Sequence, residues 1–161
     1  MIRNLIENKI LEKEINKPFA AIIGLSPSKG ARSPTLWNKV YKSLKKPIKM
    51  ISLDCKKQNI KKLFNELQKN KNFIGGAITN PYKTNISNFL KLNQSKESRF
   101  CLSVNCLNRD KNNKLYGYNT DGIAALKTIS SKFRKIQNRY FIIFFTGATA
   151  NTLITYLINK Y

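Results

Sequence analysis

Apolar residues along this chain fall into short continuous runs and helically spaced sets. Phe19-Ala20-Ala21-Ile22-Ile23-Gly24 is apolar on both faces, as a strand buried on both sides requires. A loop rich in Ser, Pro and Gly follows from Leu25 to Arg32. Ser33-Pro34 then predicts a helix start, with Ser33 as N-cap and proline at the first helical position. Leu36, Val40 and Leu44 recur every fourth residue and give that helix an apolar face, with Trp37 and Tyr41 beside it. Lys49 to Asp54 reads as a second strand. Ile60, Leu63, Phe64 and Leu67 repeat at i, i+3, i+4, i+7 and predict an amphipathic helix. Phe73 to Thr79 is a third strand. Residues 83–92 and 94–102 read as helical, and 103–108 and 114–118 as strands joined by the turn-rich 109–113. A helix over 122–134, a strand over 140–147 and a helix over 150–160 complete the pattern. Residues 2–15 carry Ile2, Leu5, Ile6, Ile10 and Leu11 near helical spacing, which predicts a short helix or a loose extension.

Strands alternating with helices predict an α/β fold: an open, mostly parallel sheet flanked by helices. Ligands of such sheets bind beyond the carboxyl ends of the strands. The loop before Ser33 and the segment Ile78-Thr79-Asn80-Pro81-Tyr82-Lys83 both fall there.

Composition narrows the function. The 161 residues, 42% of them hydrophobic, suffice for one domain with a real core, or one domain and part of another. The longest apolar run, Tyr140 to Phe145, is far short of the ~20 residues of a membrane helix. Residues 1–17 lack the apolar stretch of a secretory signal, so a cytoplasmic protein is expected. The three cysteines, Cys55, Cys101 and Cys106, form no C-x-x-C, histidine is absent and the eight acidic residues are scattered. Neither a disulfide framework nor a metal site is expected. The net charge of +22 comes from lysines spread over the whole chain, without an Arg-rich stretch or a zinc finger. That distribution argues against a dedicated nucleic-acid binder and favours small anionic ligands.

Against this background Lys83 and Asp121 are the candidate catalytic pair. Lys83 ends the third strand's loop, and Asp121 lies in Asn119-Thr120-Asp121-Gly122 at a predicted helix start. A carboxylate can hold an ammonium that exchanges a proton with a substrate hydroxyl. Ordinary roles exist for both: a solvated helix-start lysine, and an acidic residue favoured by the helix dipole. Ser33 is an N-cap in any case, Asn105 can satisfy turn backbone, and Thr79 suits a strand.

Three places converge in order: Gly30-Ala31-Arg32-Ser33-Pro34, then Thr79-Asn80-Pro81-Tyr82-Lys83, then Ser103-Val104-Asn105 with Gly117-Tyr118-Asn119-Thr120-Asp121-Gly122. Over roughly residues 18–160 the chain resembles the shikimate dehydrogenase family, whose pattern runs S-x-S-P, N-V-T-x-P-x-K, A-V-N-T and N-T-D-G. The resemblance implies an NADP-dependent oxidoreductase of the shikimate pathway to chorismate and the aromatic amino acids, reducing 3-dehydroshikimate to shikimate. It assigns Lys83 to proton transfer with Asp121 as its partner, Ser33 to the substrate carboxylate, and Thr79, Asn105 and Asp121 to ring hydroxyls.

The chain departs from the family at Ala31, where the first loop Ser stands, at Ala77 for Asn, and at Cys106 for Thr. The turn Thr146-Gly147-Ala148-Thr149-Ala150 keeps one glycine of the family's dinucleotide turn, so Gly147 and Ala148 are the candidate cofactor contacts. The expected division is an N-terminal extension (1–17), a substrate-binding domain (18–121), a connecting helix and linker (122–139) and the start of a dinucleotide-binding domain (140–161). A chain so divided is expected to be truncated and inactive alone, and to self-associate through the apolar strand 140–145. The alternative is a non-catalytic module or remnant that binds a small hydroxy acid.

Overall fold

The six residues Phe19–Gly24 (β1) are all buried and form the middle of the parallel half of a five-stranded sheet. In a computed structural model of the chain, residues 1–133, 140–144 and 147–160 are described. The remaining strands are Lys49–Asp54 (β2), Phe73–Ile78 (β3), Cys106–Arg109 (β4) and Leu115–Tyr118 (β5). Their spatial order is β2-β1-β3-β4-β5. β2 and β3 run parallel to β1, while β4 and β5 form an antiparallel hairpin beside β3. The helices are Glu12–Ile15 (α1), Ser33–Ser43 (α2), Ile60–Lys69 (α3), Lys83–Leu90 (α4), Lys96–Phe100 (α5), Asp121–Lys132 (α6) and Ala148–Lys160 (α7).

One face of the sheet carries the main core. Phe19, Ala21, Ile23, Leu53, Phe73 and Ile78 meet Ile60, Leu63, Phe64 and Leu67 of α3 and Ile86 and Leu90 of α4. All four apolar α3 positions are buried, as their spacing predicts. The N-terminal residues join this core through Ile2, Ile10 and Ile15.

The second face is thinly covered. Its buried cluster is Ala20, Ile22 and Met50, with Ala31, Tyr41, Ile74 and Ala77 packed against it. The apolar face of α2 is formed as its spacing predicts, but none of its residues is buried, and Leu36, Trp37, Val40 and Leu44 are exposed. The stripe has the helical period, yet no described element lies beyond it to take it up. Ser33 is also displaced from its predicted role. Arg32 holds the N-cap position, and Ser33 is the first helical residue and makes no capping bond.

Gly75 and Gly76 let β3 run between two close neighbours. Their φ values are +127° and +150°, and a Cβ would overlap Leu107 O at Gly75 and Ala21 O at Gly76. The β1–β3 register shifts at this place, between Phe19 and Ala20.

Side chains and loop backbone occupy both sheet edges. On β2, Asn38 donates to Met50 O (3.0 Å) and accepts from Met50 N–H (2.7 Å). Asn8 donates to Ser52 O (2.9 Å) and accepts from Asp54 N–H (2.7 Å), and Glu7 N–H donates to Asp54 O (2.8 Å). On β5, Ser95 N–H donates to Gly117 O and Gly117 N–H donates to Asn93 O. Arg109, at the end of β4, donates to five carbonyls, those of Leu67, Gln68, Asn70, Phe73 and Asn113.

Of the strand expected over 140–147, the described residues 140–144 and 147 form none. Residues 140–144 make no β-pairing, and 145 and 146 lie outside the described residues. Tyr140, Phe141, Ile142 and Phe144 are exposed. A strand exists only as part of a ladder, and among the described residues none pairs with this segment. α7 instead packs on α6, with the Tyr156 ring lying where a Cβ on Gly122 would be. No described helix is long and apolar enough to cross a membrane.

Candidate functional site

Lys83 and Asp121 are each the first residue of a helix, α4 and α6. A helix N-terminus favours an anion and disfavours a cation, so Asp121 is stabilised where it stands and Lys83 needs a counter-charge. It has one: Lys83 Nζ donates to Asp121 Oδ2 at 2.6 Å. Their side chains are 17% and 29% exposed, and this is the one described ion pair with both partners under a third exposed. Screening is therefore weaker here than at the surface pairs.

Backbone bonds bring the two helix starts together. Tyr82, fully buried, donates its hydroxyl to Cys55 O (2.5 Å) and pins the residue before Lys83 to the end of β2. Burial also pushes the Tyr82 phenol above its usual range, so it stays a donor. Val104 N–H donates to Lys83 O (3.1 Å), and Asn105 bridges the strands through Ile78 N–H···O (2.8 Å) and its own N–H to Tyr118 O (3.1 Å).

Asn105 completes the cluster. Its Nδ2 donates to Asp121 Oδ1 (2.6 Å) and to Thr120 Oγ1 (2.9 Å), and its Oδ1 accepts from Thr120 N–H (2.9 Å). Each carboxylate oxygen of Asp121 thus has its own donor, one ammonium and one amide. The arrangement can hold an ammonium beside an oxygen that changes charge, which is what proton transfer to or from a hydroxyl demands.

The other predicted residues make no described side-chain hydrogen bond to this cluster. Ser33 is half-buried at the start of α2, with no described side-chain hydrogen bond. Thr79 sits at the end of β3, its N–H donating to Ile23 O (2.9 Å) and its methyl turned toward Gly24. Gly147 and Ala148 open α7, and a Cβ on Gly147 would meet nothing within 4 Å. Among the described residues no group of three or more Cys, Asp or Glu could hold a metal ion.

Three further groups were not singled out from sequence. Asn119 is buried and donates to Ser103 O (2.9 Å) and Thr152 Oγ1 (3.0 Å), while its Oδ1 accepts from Asp121 N–H (3.0 Å). Tyr156 of α7 donates to Asn119 O (2.9 Å). Asn119 therefore ties α7, the 101–103 loop and Asp121 to one point. Thr149 of α7 places its Oγ1 3.4 Å from Lys83 Nζ. Asp54, 5% exposed, accepts from Ser28 N–H (2.8 Å) and from the Ser28 hydroxyl, which anchors the loop leading to Ser33. Asn119 and Thr120 stand inside the N-T-D-G segment and were within reach of a sequence reading. Asp54 and Ser28 carry no local signal of their pairing.

Comparison with known proteins sets the chain beside shikimate dehydrogenases. The chain is 28% identical over 153 residues to the shikimate dehydrogenase (NADP(+)) of Buchnera aphidicola subsp. Cinara cedri, covering 95% of this chain and 52% of that protein. It is 27% identical over 128 residues to the Methanococcus vannielii protein of the same name, covering 79% of this chain and 44% of the other. Shikimate dehydrogenase from Aquifex aeolicus has a similar fold, with a TM-score of 0.80 at 22% identity over 94% of this chain and 54% of that one. The chain spans about half the length of the curated relatives it matches. The family model for the shikimate dehydrogenase substrate binding domain matches residues 22–107, a stretch that holds Ser33, Thr79, Lys83 and Asn105. The strand order, the Lys83–Asp121–Asn105 cluster and a family match over more than half of the chain lead to one conclusion: this chain belongs to the shikimate dehydrogenase substrate-binding-domain family.

Proposed function

We propose that this chain is the substrate-holding half of a shikimate dehydrogenase-type, NADP-dependent oxidoreductase, acting on shikimate and 3-dehydroshikimate. The observation that carries the reading is the Lys83–Asp121–Asn105 cluster at the carboxyl end of the sheet. Lys83 donates the proton to the oxygen of 3-dehydroshikimate as it gains charge, and takes it back in the reverse direction. Asp121 holds the ammonium in place, and Asn105 holds Asp121 in place. Asn105, Asp121 and Thr79 face ring hydroxyls, and Ser33 and Arg32 face the carboxylate. Residues 18–121 form the substrate unit, 122–139 the connection and 140–161 the start of a dinucleotide unit.

NADP supplies the hydride when bound. The open space around Gly147 fits the approach of a phosphate to the first turn of α7. Gly147 and Ala148 would hold it there. The unpaired segment 140–144 adds no second wall, so these residues make one contact of a dinucleotide site. A second reading, a non-catalytic hydroxy-acid binder, draws on that same unpaired segment. A cytoplasmic setting and self-association through the exposed apolar residues at 140–144 belong with either reading.

The test is calorimetric titration of the 161-residue chain with shikimate. Wild type binds, while Lys83→Ala and Asp121→Asn each weaken binding about 100-fold, because either change leaves its partner charge uncompensated. The chain alone forms no NADPH from shikimate. Equal binding by the variants, or none by wild type, overturns the site. NADPH formation by the chain overturns the division of labour.

A further inference from the structure

α7 is linked to the Lys83–Asp121 pair by a chain of hydrogen bonds whose direction is fixed at every step. Asp121 N–H donates to Asn119 Oδ1 (3.0 Å). That leaves Asn119 Nδ2 as the donor side of the amide, and it serves Thr152 Oγ1 (3.0 Å) and Ser103 O (2.9 Å). The Thr152 hydroxyl donates in turn to Ala148 O, in the first turn of α7 (2.7 Å). A flipped Asn119 amide would set its NH2 against Asp121 N–H and its oxygen against the Ser103 carbonyl, so only one orientation fits. Asn119 and Thr152 are 5% and 0% exposed, and buried bonds of this kind are strong and costly to leave unmade. Tyr156, one turn beyond Thr152, donates to Asn119 O (2.9 Å) while its ring lies against Gly122 of α6. A third hydroxyl of α7, Thr149 Oγ1, accepts from Lys83 Nζ at 3.4 Å.

We infer that Asn119 and Thr152 are positioning residues of the substrate site. Acting through them, α7 sets where the Asp121 carboxylate and its paired Lys83 ammonium stand, and substrate binding is coupled to the docking of α7. The inference rests on the proposed function for the hydroxyl's place at that pair. Lys83 and Asn105 hold the Asp121 carboxylate, and Asn105 also holds Thr120 N–H, but the Asp121 N–H is held by Asn119. A carboxylate on the first residue of α6 moves with its backbone, and the ammonium it carries has to meet a substrate oxygen within hydrogen-bond reach. Coupling is reciprocal: what docked α7 gives to ligand affinity, bound ligand gives back to the docking of α7. Bonds that merely fastened α7 to the domain would change stability and leave the affinity of the folded protein alone.

Two variants of the 161-residue chain carry the test. Thr152→Val keeps the side chain's shape without its hydroxyl, and Thr152→Ser puts the hydroxyl back. By calorimetry, Thr152→Val should weaken shikimate binding about 10-fold, and Thr152→Ser should return it to within about 2-fold of wild type. Without ligand, Thr152→Val should speed exchange of the Asp121 amide, followed by NMR, more than exchange of α3 amides. Saturating shikimate should slow exchange in α7 of the wild type. Circular dichroism confirms the fold, and Tyr156→Phe, which removes only the hydroxyl on Asn119 O, tests the same link if Thr152→Val does not fold; it should weaken binding about 3-fold. A lowered urea midpoint with wild-type affinity overturns the inference, as does Asp121 exchange at the wild-type rate. A larger loss in Thr149→Ala than in Thr152→Val places the coupling in the direct contact with Lys83 and overturns the link through Asn119. A wild-type chain that does not bind shikimate, or a Lys83→Ala chain that binds it equally well, overturns the proposed function instead, and the Asp121 exchange still decides whether α7 sets Asp121.

Discussion

Replacing Arg109 with Ala should destabilise the fold by about 3 kcal/mol, a value that follows from its acceptors. Three of its five bonds are partly buried: to Phe73 O (2.6 Å), Leu67 O (2.8 Å) and Asn70 O (3.1 Å). The other two, to Gln68 O and Asn113 O, are exposed, and water replaces them at little cost. Net values of about 1 kcal/mol for each of the three sum to about 3 kcal/mol. The carbonyls of Leu67, Gln68 and Asn70 close α3, so the charge also opposes the negative end of that helix. Burial lowers the guanidinium's pKa, but the group starts so high that it stays charged. With a urea slope of about 2 kcal/mol/M, the midpoint falls by about 1.5 M. Arg109→Lys should recover less than half of this, since an ammonium cannot span acceptors on three segments. Urea melts followed by far-UV circular dichroism measure both variants. A midpoint drop under about 0.3 M for Arg109→Ala, or wild-type stability for Arg109→Lys, refutes the assignment.

Gly122→Ala should dislodge α7, because the new methyl occupies the Tyr156 ring position. Hydrogen exchange in α7 should rise, and Tyr156→Ala in the same chain should absorb most of the added cost. Stability should fall at alkaline pH through Cys55, whose thiol burial raises to about 11. An unfolded thiol ionises near about 8.5, so this contribution is intact below that pH and is lost as pH rises toward the folded value. Thermal melts between pH 8 and pH 11 check it, and Cys55→Ala should flatten the profile.

Sequence patterns read well where a residue's partners lie on the expected side of its own element. The buried run of β1 and the four-residue face of α3 are cases, since period and burial agree there. The α2 stripe has an equally good period, and the pattern alone cannot tell a core face from one left uncovered. Asn8, Asn38 and Arg109 were invisible for another reason. Their partners are backbone groups on other segments, up to 46 residues away, and no local rule of propensity or spacing encodes them. Of the candidate site, Lys83, Asp121 and Asn105 were legible as motif residues and do meet in space. Asn119 was part of the same motif, but its role depends on Thr152 and Tyr156, which belong to a helix more than thirty residues further on. The apolar run at 140–144 has strand composition, but only a neighbour in a ladder would make it a strand.

The asparagines along β2 bear on aggregation. An open strand edge is a template for another chain. Here the outward N–H of Met50 and Asp54, and the outward C=O of Met50, Ser52 and Asp54, are already bonded, while Gly117 of β5 is bonded in the same way. A strongly basic chain with an exposed apolar tract can still attract other molecules, but at the β2 edge they meet groups already bonded to Asn38, Asn8 and Glu7. Fibrils growing by addition to this sheet would first have to displace amide side chains that imitate a sixth strand. Association of the folded protein is thereby steered away from the β2 edge and toward exposed apolar side chains such as those at 140–144.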